Sequence, residues 1–390
     1  MSEPRWAGLK PTAVNSILAE VRAAQAAGRD VVSLMRGEPD LRTPPHIVEA
    51  ATRALAAGRT GYPDNRGEMA LREAVALKLT RDNALSYDPA SELLVTTGAT
   101  FGIYAALMAV LREGDEVLLP DPIYDAYQSP VVLAGGRGIP VTAPIEHGRF
   151  VLTAAALEAA VTPRSRVLML NTPWNPVGTV FRKAELEAIA EVVVRHELVL
   201  ISDEIYEAIV YDGHRHISPA SLSPEVRART ILVNSLSKTY AMTGWRVGYC
   251  AAPERFVRTM FLVLQQSSRG PATFIQDAAA AALSGPQQCV GDMRQEYAAR
   301  RGIVLERLTG LPRVNVLAPE GGFFAMVDAR ATRVPSDDLR RRLLNDHGVV
   351  VAHGSAYGRG GEGTLRVSFA TGGDVLATGL QRLREGLEGL

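Results

Sequence analysis

Short apolar runs alternate with helical patterns through the middle of the chain, and this alternation restricts the possible folds more than any other feature. Residues 93–96, 116–119, 166–170, 198–202 and 230–234 are rich in Val, Leu and Ile and predict strands. Between them, residues 99–112 and 183–195 carry apolar side chains at helical spacing. Strands that alternate with helices predict βαβ units, and hence an α/β fold with a largely parallel sheet.

Polar segments come directly after four of the predicted strands. They are residues 97–100, 171–178, 203–206 and 235–238. In open α/β sheets, ligands bind beyond the carboxyl ends of the strands. The sequence therefore predicts that these four segments meet in one site.

The C-terminal part has a different pattern. A long helical stretch over residues 254–308 is broken near Gly270 and Gly285, each followed by proline. Shorter segments follow at 314–317, 324–328, 349–352 and 364–369, with helices near 336–347 and at the end. We expect a large domain over residues 46–285, which carries the four polar segments, and a smaller α+β domain built from 1–45 and 286–390.

Charge and cysteine content exclude several classes of protein. The 390 residues contain 42 acidic and 42 basic side chains, so nothing favours nucleic acid or a membrane surface as a partner. The two cysteines, Cys250 and Cys289, form no metal-ligand cluster and fit a reduced cytoplasmic protein. Residues 1–10 lack an apolar stretch, so we expect no signal peptide.

Lysine is rare in this chain, which makes each lysine informative. Of the 42 basic residues only four are lysines, namely Lys10, Lys78, Lys183 and Lys238. Lysine can lose its proton and act as an amine nucleophile, whereas arginine cannot. Lys78 and Lys183 lie in charged helical patterns and are expected to be solvated surface charges. Lys238 lies instead in a polar segment after a strand, which favours a chemical role.

The residues around Lys238 suit an aldehyde cofactor that carries a phosphate. An amine that forms an imine needs a single lysine, with anion-binding groups nearby. Ser235, Ser237 and Arg246 are candidates for those groups. Gly98, Ala99 and Thr100 open a predicted helix, whose free N–H groups and dipole also favour a phosphate.

Three other residues at strand ends have both a chemical and a structural interpretation. Asp203 could hold a protonated pyridine nitrogen, or it could cap a following helix. Tyr206 could reach a ring hydroxyl, or it could pack. Asn175 lies in a turn made rigid by two prolines, and its spacing alone does not decide whether it contacts a ligand.

The segment SLSKTYAMTGWRVG (residues 235–248) resembles the pyridoxal-phosphate attachment motif of class I/II aminotransferases. Other segments match the same family in the same order. They are GEPD (37–40), GYPDNRG (61–67), TGAT (97–100), DPIYDAY (121–127), NTPWNPVG (171–178), SDEIY (202–206), GGFF (321–324) and LRVS (365–368). The resemblance runs from about Lys10 to the end, and is strongest to the bacterial aspartate-aminotransferase-like subgroup with fold type I architecture.

The resemblance implies a pyridoxal 5'-phosphate site. Lys238 would form the internal aldimine and shuttle the proton, while Asp203 would hold the pyridinium. Tyr206 and Asn175 would bond the ring oxygen, and Tyr124 would stack on the ring. The phosphate would be held by Gly98, Ala99, Thr100, Ser235, Ser237 and Arg246, and by Tyr62 from a partner subunit, which implies a homodimer with shared sites.

The resemblance also implies how the substrates bind and what the reaction is. Arg366 would pair with the substrate α-carboxylate, assisted by Asn175 and Gly37. The chain would move an amino group between an L-amino acid and a 2-oxo acid.

Four positions depart from the family pattern and bear on the amino donor. Thr100 stands where related enzymes often carry a lysine that reads a distal carboxylate. Val177 replaces a threonine in the 171–178 turn, while Trp174 and Arg36 replace smaller residues. Thr100, together with a Trp174 ring that faces the substrate, favours a neutral, apolar or aromatic donor over strict use of aspartate. Arg36 or Arg269 could still pair with the γ-carboxylate of glutamate.

Other functions are compatible with parts of the same pattern. A β-lyase would use the same cofactor and differ only in small pocket features. A transcription regulator would need a DNA-binding segment before the fold, for which we expect no room. A catalytically inactive scaffold would not need the full set of cofactor-binding groups.

Overall fold

The computed structural model describes Leu9 and residues 11–390, so Lys10, where the family resemblance begins, lies outside the described residues. The helices are α1 (Ala13–Ala26), α2 (Pro45–Ala56), α3 (Met69–Asn83), α4 (Ala99–Val110), α5 (Gln128–Leu133), α6 (Ala154–Ala160), α7 (Lys183–Arg195), α8 (Pro224–Arg227), α9 (Leu236–Thr239), α10 (Glu254–Gln265), α11 (Thr273–Ser284), α12 (Gln288–Leu308), α13 (Ser336–His347) and α14 (Gly373–Glu388).

The strands are short, and most belong to two sheets. They are β1 (Val32–Ser33), β2 (Leu93–Thr96), β3 (Glu116–Asp121), β4 (Arg137–Thr142), β5 (Ile145–Glu146), β6 (Arg149–Phe150), β7 (Ser165–Asn171), β8 (Val199–Asp203), β9 (Thr230–Ser235), β10 (Gly248–Ala251), β11 (Asn315–Leu317), β12 (Phe324–Asp328), β13 (Val349–Val350), β14 (Ala352–His353) and β15 (Thr364–Ser368).

The central sheet has seven strands in the order β2-β10-β9-β8-β7-β3-β4. The pairs from β9 to β4 are parallel, whereas β10 runs antiparallel to both β9 and β2. The predicted α/β class with a largely parallel sheet is therefore confirmed. Strands β4 and β10 were not predicted, since β4 contains Gly138 and Pro140 and only one buried residue, and β10 is only four residues long.

Both faces of the central sheet are buried, and the side chains alternate between two apolar layers. On β7, Val167 and Met169 join one core cluster, whereas Leu168 and Leu170 join another. Strand β8 repeats this pattern. A strand that is covered on both faces needs apolar side chains at successive positions. These strands could therefore be predicted from their continuous apolar runs.

The C-terminal segments form a smaller four-stranded sheet in the order β11-β12-β15-β14. The predicted breaks near Gly270 and Gly285 separate α10, α11 and α12. The N-terminal strand β1 pairs in parallel with β13, which brings the start of the described chain next to this C-terminal region. Among the described residues, no helix combines the length and apolar character needed to cross a membrane.

Candidate active site

The four polar segments after the predicted strands do meet at one cavity, of about 740 Å³. Most of the predicted site residues line it. These are Arg36, Gly37, Ala99, Thr100, Tyr124, Asn175, Asp203, Tyr206, Ser235, Ser237, Lys238, Arg246 and Arg366. The convergence follows from parallel strands, whose carboxyl ends share one edge of the sheet.

Lys238 reaches this cavity from the one-turn helix α9, which follows β9 directly. Ser235 caps the helix, since its hydroxyl accepts a hydrogen bond from the Ser237 amide. The Lys238 ammonium donates to the Gly37 carbonyl at 2.5 Å and lies 5.7 Å from the centre of the Phe323 ring. Burial lowers the pKa of Lys238 to about 8, against the opposing effect of Glu38. Lys238 is thus a lysine that readily supplies a neutral amine.

The lowered pKa predicts how Lys238 reacts with an amine-modifying reagent. In the cofactor-free protein, the rate of labelling by trinitrobenzenesulfonate should be half-maximal near pH 8, because only the neutral amine attacks. Peptide mapping after brief labelling would assign the reaction, and Lys238→Arg should lack it. A midpoint near the ordinary lysine value of about 10.4 would contradict the effect of burial.

Asp203 is buried at the end of β8 and points into the same cavity. Its carboxylate accepts hydrogen bonds from the Tyr127 hydroxyl at 2.5 Å and the Ile205 amide at 3.2 Å. Burial raises the pKa of Asp203 to about 6, although the bond from Tyr127 lowers it. Turns rather than a helix follow Asp203, and the bond from the Ile205 amide shows that its carboxylate also caps the first of these turns.

The loop at the start of α4 leaves room for an anion. Gly98 has φ of 81°, and a Cβ atom there would lie 2.6 Å from the Arg246 guanidinium. The first N–H groups of α4 have no partner within the helix and are free to bind a ligand. Gly248 on β10 brings the backbone equally close, since a Cβ atom there would lie 2.9 Å from the Ala99 nitrogen. These contacts fit a bound phosphate group.

Arg366 lies on β15 and enters the cavity from the smaller sheet. Its guanidinium donates to the Met35 carbonyl at 2.9 Å and to the Asn175 side-chain oxygen at 3.4 Å. It lies 4.1 Å from the ring centre of Phe324 and 4.8 Å from that of Tyr357. Its Nε is buried and has no hydrogen-bond partner among the described residues. The site therefore holds a fixed guanidinium with spare donor capacity.

Aromatic side chains form the walls around these charged groups. Tyr206 is buried and packs edge-on against Phe323, at 5.4 Å between ring centres. Tyr124 lines the cavity and packs edge-on against Tyr127, also at 5.4 Å. Burial raises the pKa of both Tyr206 and Tyr124, so their hydroxyls stay protonated.

The prediction that Trp174 faces the substrate is wrong. Trp174 is only 2% exposed and packs in the core beside the sheet, stacked on Phe181 at 5.6 Å. A backbone bridge joins Trp174 to Thr179, and the indole lies on the core side of this turn. The expectation that Lys78 is a solvated surface charge is also wrong, because Lys78 is 6% exposed and paired with Glu207.

Three further predicted residues lie at or beyond the cavity edge. Arg36 is exposed at the rim and forms an ion pair with Glu38 at 3.5 Å. Tyr62 is 90% exposed, and the Arg269 guanidinium lies 5.8 Å from its ring centre. Neither Tyr62 nor Arg269 lines the cavity within this chain.

The sequence interpretation missed several residues of the site. Tyr127 holds Asp203, and Asn171 accepts a hydrogen bond from the Asn175 amide at 2.7 Å. One face of α1, with Asn15, Leu18 and Arg22, closes another side of the cavity. Tyr127 and Asn171 lie inside recognised motifs and could have been selected, whereas the α1 face has no comparable signal.

The arrangement of lysine, carboxylate, anion loop and guanidinium defines a class of enzyme, and comparison with known proteins supports it. The family model described as aminotransferase class I and II matches residues 29–381. The chain therefore belongs to the class I and II aminotransferase family and is an aminotransferase. Enzymes of this family use pyridoxal phosphate.

Comparison with individual members of the family places the chain in the aspartate-aminotransferase-like subgroup. It is 38% identical to an aspartate aminotransferase from Geobacillus stearothermophilus, over 98% of both chains. It is 42% identical to an aromatic-amino-acid aminotransferase 2 from Thermococcus litoralis, over 92% of both chains. The crystal structure of the Rhizobium meliloti aspartate aminotransferase superposes with a TM-score of 0.95 at 34% identity, covering 100% of this chain and 99% of that one.

Proposed function

We propose that this aminotransferase holds pyridoxal 5'-phosphate on Lys238 and uses an amino donor that is not strictly aspartate. The observation that carries the proposal is one cavity that contains both Lys238, with its lowered pKa, and the buried Asp203 carboxylate. We further propose that residues 46–285 act as the large cofactor-binding domain and the remainder as the small domain.

The residues present fit this cofactor. Ser235, Ser237, Arg246 and the first amides of α4 would hold its phosphate, and Asp203 would hold the ring nitrogen. Tyr206 and Asn175 would bond the ring oxygen, and Tyr124 would cover the ring face. When bound, the cofactor draws electrons from the α-carbon of the substrate.

Lys238 is the group that moves the proton. Its Nζ, as a neutral amine, would accept the proton released at the substrate α-carbon. The ammonium that results would then donate a proton to C4′ of the cofactor. A pKa near 8 suits both steps, because it leaves a larger fraction of neutral amine near neutral pH than an ordinary lysine has, and the protonated form remains a ready proton donor. Burial of Lys238 beside the aromatic wall also limits the competing transfer of protons to water.

Arg366 positions the substrate. Its guanidinium lies over the rings of Phe324 and Tyr357 and donates to Met35 and Asn175, which orient it. A planar fork matches a carboxylate with two parallel hydrogen bonds. Since every amino acid and 2-oxo acid carries that carboxylate, Arg366 serves both halves of the reaction.

We also infer a homodimer in which Tyr62 completes the partner's phosphate site. A tyrosine that is 90% exposed on one chain, with Arg269 beside its ring, is typical of a side chain that packs against another subunit. Sedimentation at assay concentration should show a dimer, and Tyr62→Ala should release the cofactor more readily without changing the sedimentation coefficient. An active monomer would contradict this inference.

The charges at the cavity mouth govern the choice of amino donor. Thr100 offers no cation for a distal carboxylate, and Arg36 is already paired with Glu38. Arg22, on the cavity face of α1, has no ion pair among the described residues and is the remaining cation at that side. We expect Arg22 to read the γ-carboxylate of glutamate or 2-oxoglutarate, while the main donor is neutral or aromatic.

The donor preference can be tested with one 2-oxo acid throughout. We expect kcat/KM for the best of methionine, leucine, phenylalanine and alanine to match or exceed that for aspartate. An advantage of aspartate over all four by roughly a hundredfold, about 2.7 kcal/mol, would contradict the inference from Thr100. Arg22→Ala should lower kcat/KM for glutamate relative to alanine by about tenfold, whereas Arg53→Ala, at an exposed position of α2, should not.

The same assay separates transamination from β-lyase chemistry. An aminotransferase releases the 2-oxo acid of the donor in the first half-reaction without ammonia. Ammonia and pyruvate from a cysteine conjugate, at rates above those of any amino transfer, would favour the lyase.

A further inference from the structure

A second cavity, of about 580 Å³, is lined by residues of the apolar cluster on one face of the central sheet, such as Leu236 and Tyr249, whereas residues of the cluster on the other face, such as Ala99 and Ile103, line the active site. Neighbouring residues at the strand ends divide between the two cavities. Ser237 and Lys238 line the active site, Asn234 and Thr239 line the second cavity, and Ser235 lines both. The wall between the cavities therefore consists of β9 and the helix that carries Lys238.

The floor of the second cavity is a buried polar cluster that the proposed reaction does not use. The Lys78 ammonium donates to Glu207 and to the Asn83 side-chain oxygen, the latter at 2.7 Å. Glu207 also accepts hydrogen bonds from the side-chain amides of Asn83 and Asn234, each at 2.7 Å. The Glu207 carboxylate is thus fully paired within the protein, and it lies one residue after Tyr206.

The mouth of this cavity carries two arginines, Arg215 and Arg294, that form no ion pair with any residue the structure describes. The charged residues that line the cavity are Lys78, Arg81, Asp82, Glu207, Arg215 and Arg294. Asp82 is paired with Arg81, and Glu207 with Lys78. The two carboxylates are therefore neutralised by these partners, and the charges of Arg215 and Arg294 are left uncompensated within the cavity. The cavity therefore has an excess of positive charge at its entrance.

The remaining walls suit a small organic molecule. Leu236, Leu283 and Val290 contribute apolar surface, and Tyr249 adds an aromatic ring. His216 also lines the cavity, and its buried Nδ1 has no hydrogen-bond partner among the described residues, while its Nε2 contacts Glu204 at 2.9 Å. The volume lies within the range of roughly 300–1,000 Å³ that is typical of small-molecule sites.

We propose that this second cavity binds a small organic polyanion with carboxylate or phosphate groups, and that the bound anion alters turnover through the shared wall. Guanidinium pairs bind both kinds of oxyanion through charge-assisted hydrogen bonds. An anion held by Arg215 and Arg294 lies behind β9 and α9. Any shift of these elements reaches Lys238 directly, since Lys238 and Thr239 are adjacent in one helical turn.

A metal ion is a poorer fit to the same cluster. Glu204, Glu207 and His216 bring ligand atoms within 4.8 Å of one another. The Lys78 ammonium already contacts Glu207, and a cation placed there would be repelled by that charge. The charged groups of the cluster are therefore paired with one another, and Arg215 and Arg294 remain available to bind an anion.

The test is calorimetric titration of the holoenzyme with citrate and, separately, with pyrophosphate at constant ionic strength. Saturable binding of either probe is expected, and the better probe identifies the carboxylate or the phosphate class. The double variant Arg215→Ala/Arg294→Ala should bind at least tenfold more weakly, about 1.4 kcal/mol. The charge-matched control Arg258→Ala/Arg342→Ala, with exposed arginines elsewhere, should bind like the unaltered protein.

Two further measurements locate the site and test its effect. Arg366→Ala should retain probe binding, because the active-site arginine is not involved. The saturating probe should change kcat/KM for the amino donor by about fivefold or more, in the unaltered protein but not in the double variant. The proposal is overturned if neither probe binds, if the double variant binds equally well, or if binding leaves turnover unchanged. Calorimetry measures binding without turnover. Failure of the anion site can therefore be distinguished from failure of the proposed enzymatic function.

Discussion

Lys238→Ala is expected to reduce transamination by at least about a thousandfold and to abolish covalent retention of the cofactor. The variant removes the only amine that lines the active-site cavity within the described residues, and with it the proposed attachment point and proton carrier. Borohydride reduction followed by peptide mass mapping should place the cofactor on Lys238 in the unaltered protein and nowhere in the variant.

Lys183→Ala is the matched control for this prediction. Lys183 is exposed at the start of α7 and forms only an i,i+4 pair with Glu187. Its loss should leave activity and cofactor attachment unchanged. If Lys238→Ala kept a borohydride-reducible link to the cofactor, another lysine would be the attachment point and the assignment would fail.

Asp203→Asn is expected to lower kcat by about a hundredfold or more while the protein stays folded. An amide of the same size can keep the contacts to Tyr127 and Ile205, but it cannot hold a proton on the cofactor ring. Loss of one member of a buried charge pair costs about 2–5 kcal/mol. This free energy is consistent with the expected decrease in kcat of about a hundredfold or more. The absorption spectrum of the variant should also show a weakened pH response, which gives a readout that is independent of turnover.

Two other variants show whether the loss of kcat in Asp203→Asn comes from the lost charge or from altered packing. Tyr127→Phe keeps the Asp203 carboxylate and removes the hydrogen bond that lowers its pKa, so its effect on kcat should be smaller than that of Asp203→Asn. Asp212→Asn, at an exposed carboxylate paired with Arg301, should have no effect on kcat. Near-normal kcat in Asp203→Asn would mean that Asp203 serves the fold alone.

Much of the fold could be predicted from sequence because the signals are local. The buried parallel strands read as continuous apolar runs, and helices such as Lys183–Arg195 have apolar residues at regular spacing. The polar residues at Asp203, Ser235 and Lys238 were found because each follows such a strand directly. Strand β10 escaped detection, since its four residues acquire a defined partner only when the chain folds back between β9 and β2.

Only the tertiary structure decided which way individual side chains point. Lys78 and Trp174 illustrate this, because a helical pattern and a rigid turn are compatible with either face. Lys78 turns inward because Glu207, 129 residues away, supplies a buried counter-charge, and Trp174 turns inward because Phe181 and the core accept its ring. The sequence by itself determined the chemistry at the strand ends. The cover from α1 and the second cavity behind Lys238 depend on packing between distant segments, which no local pattern encodes.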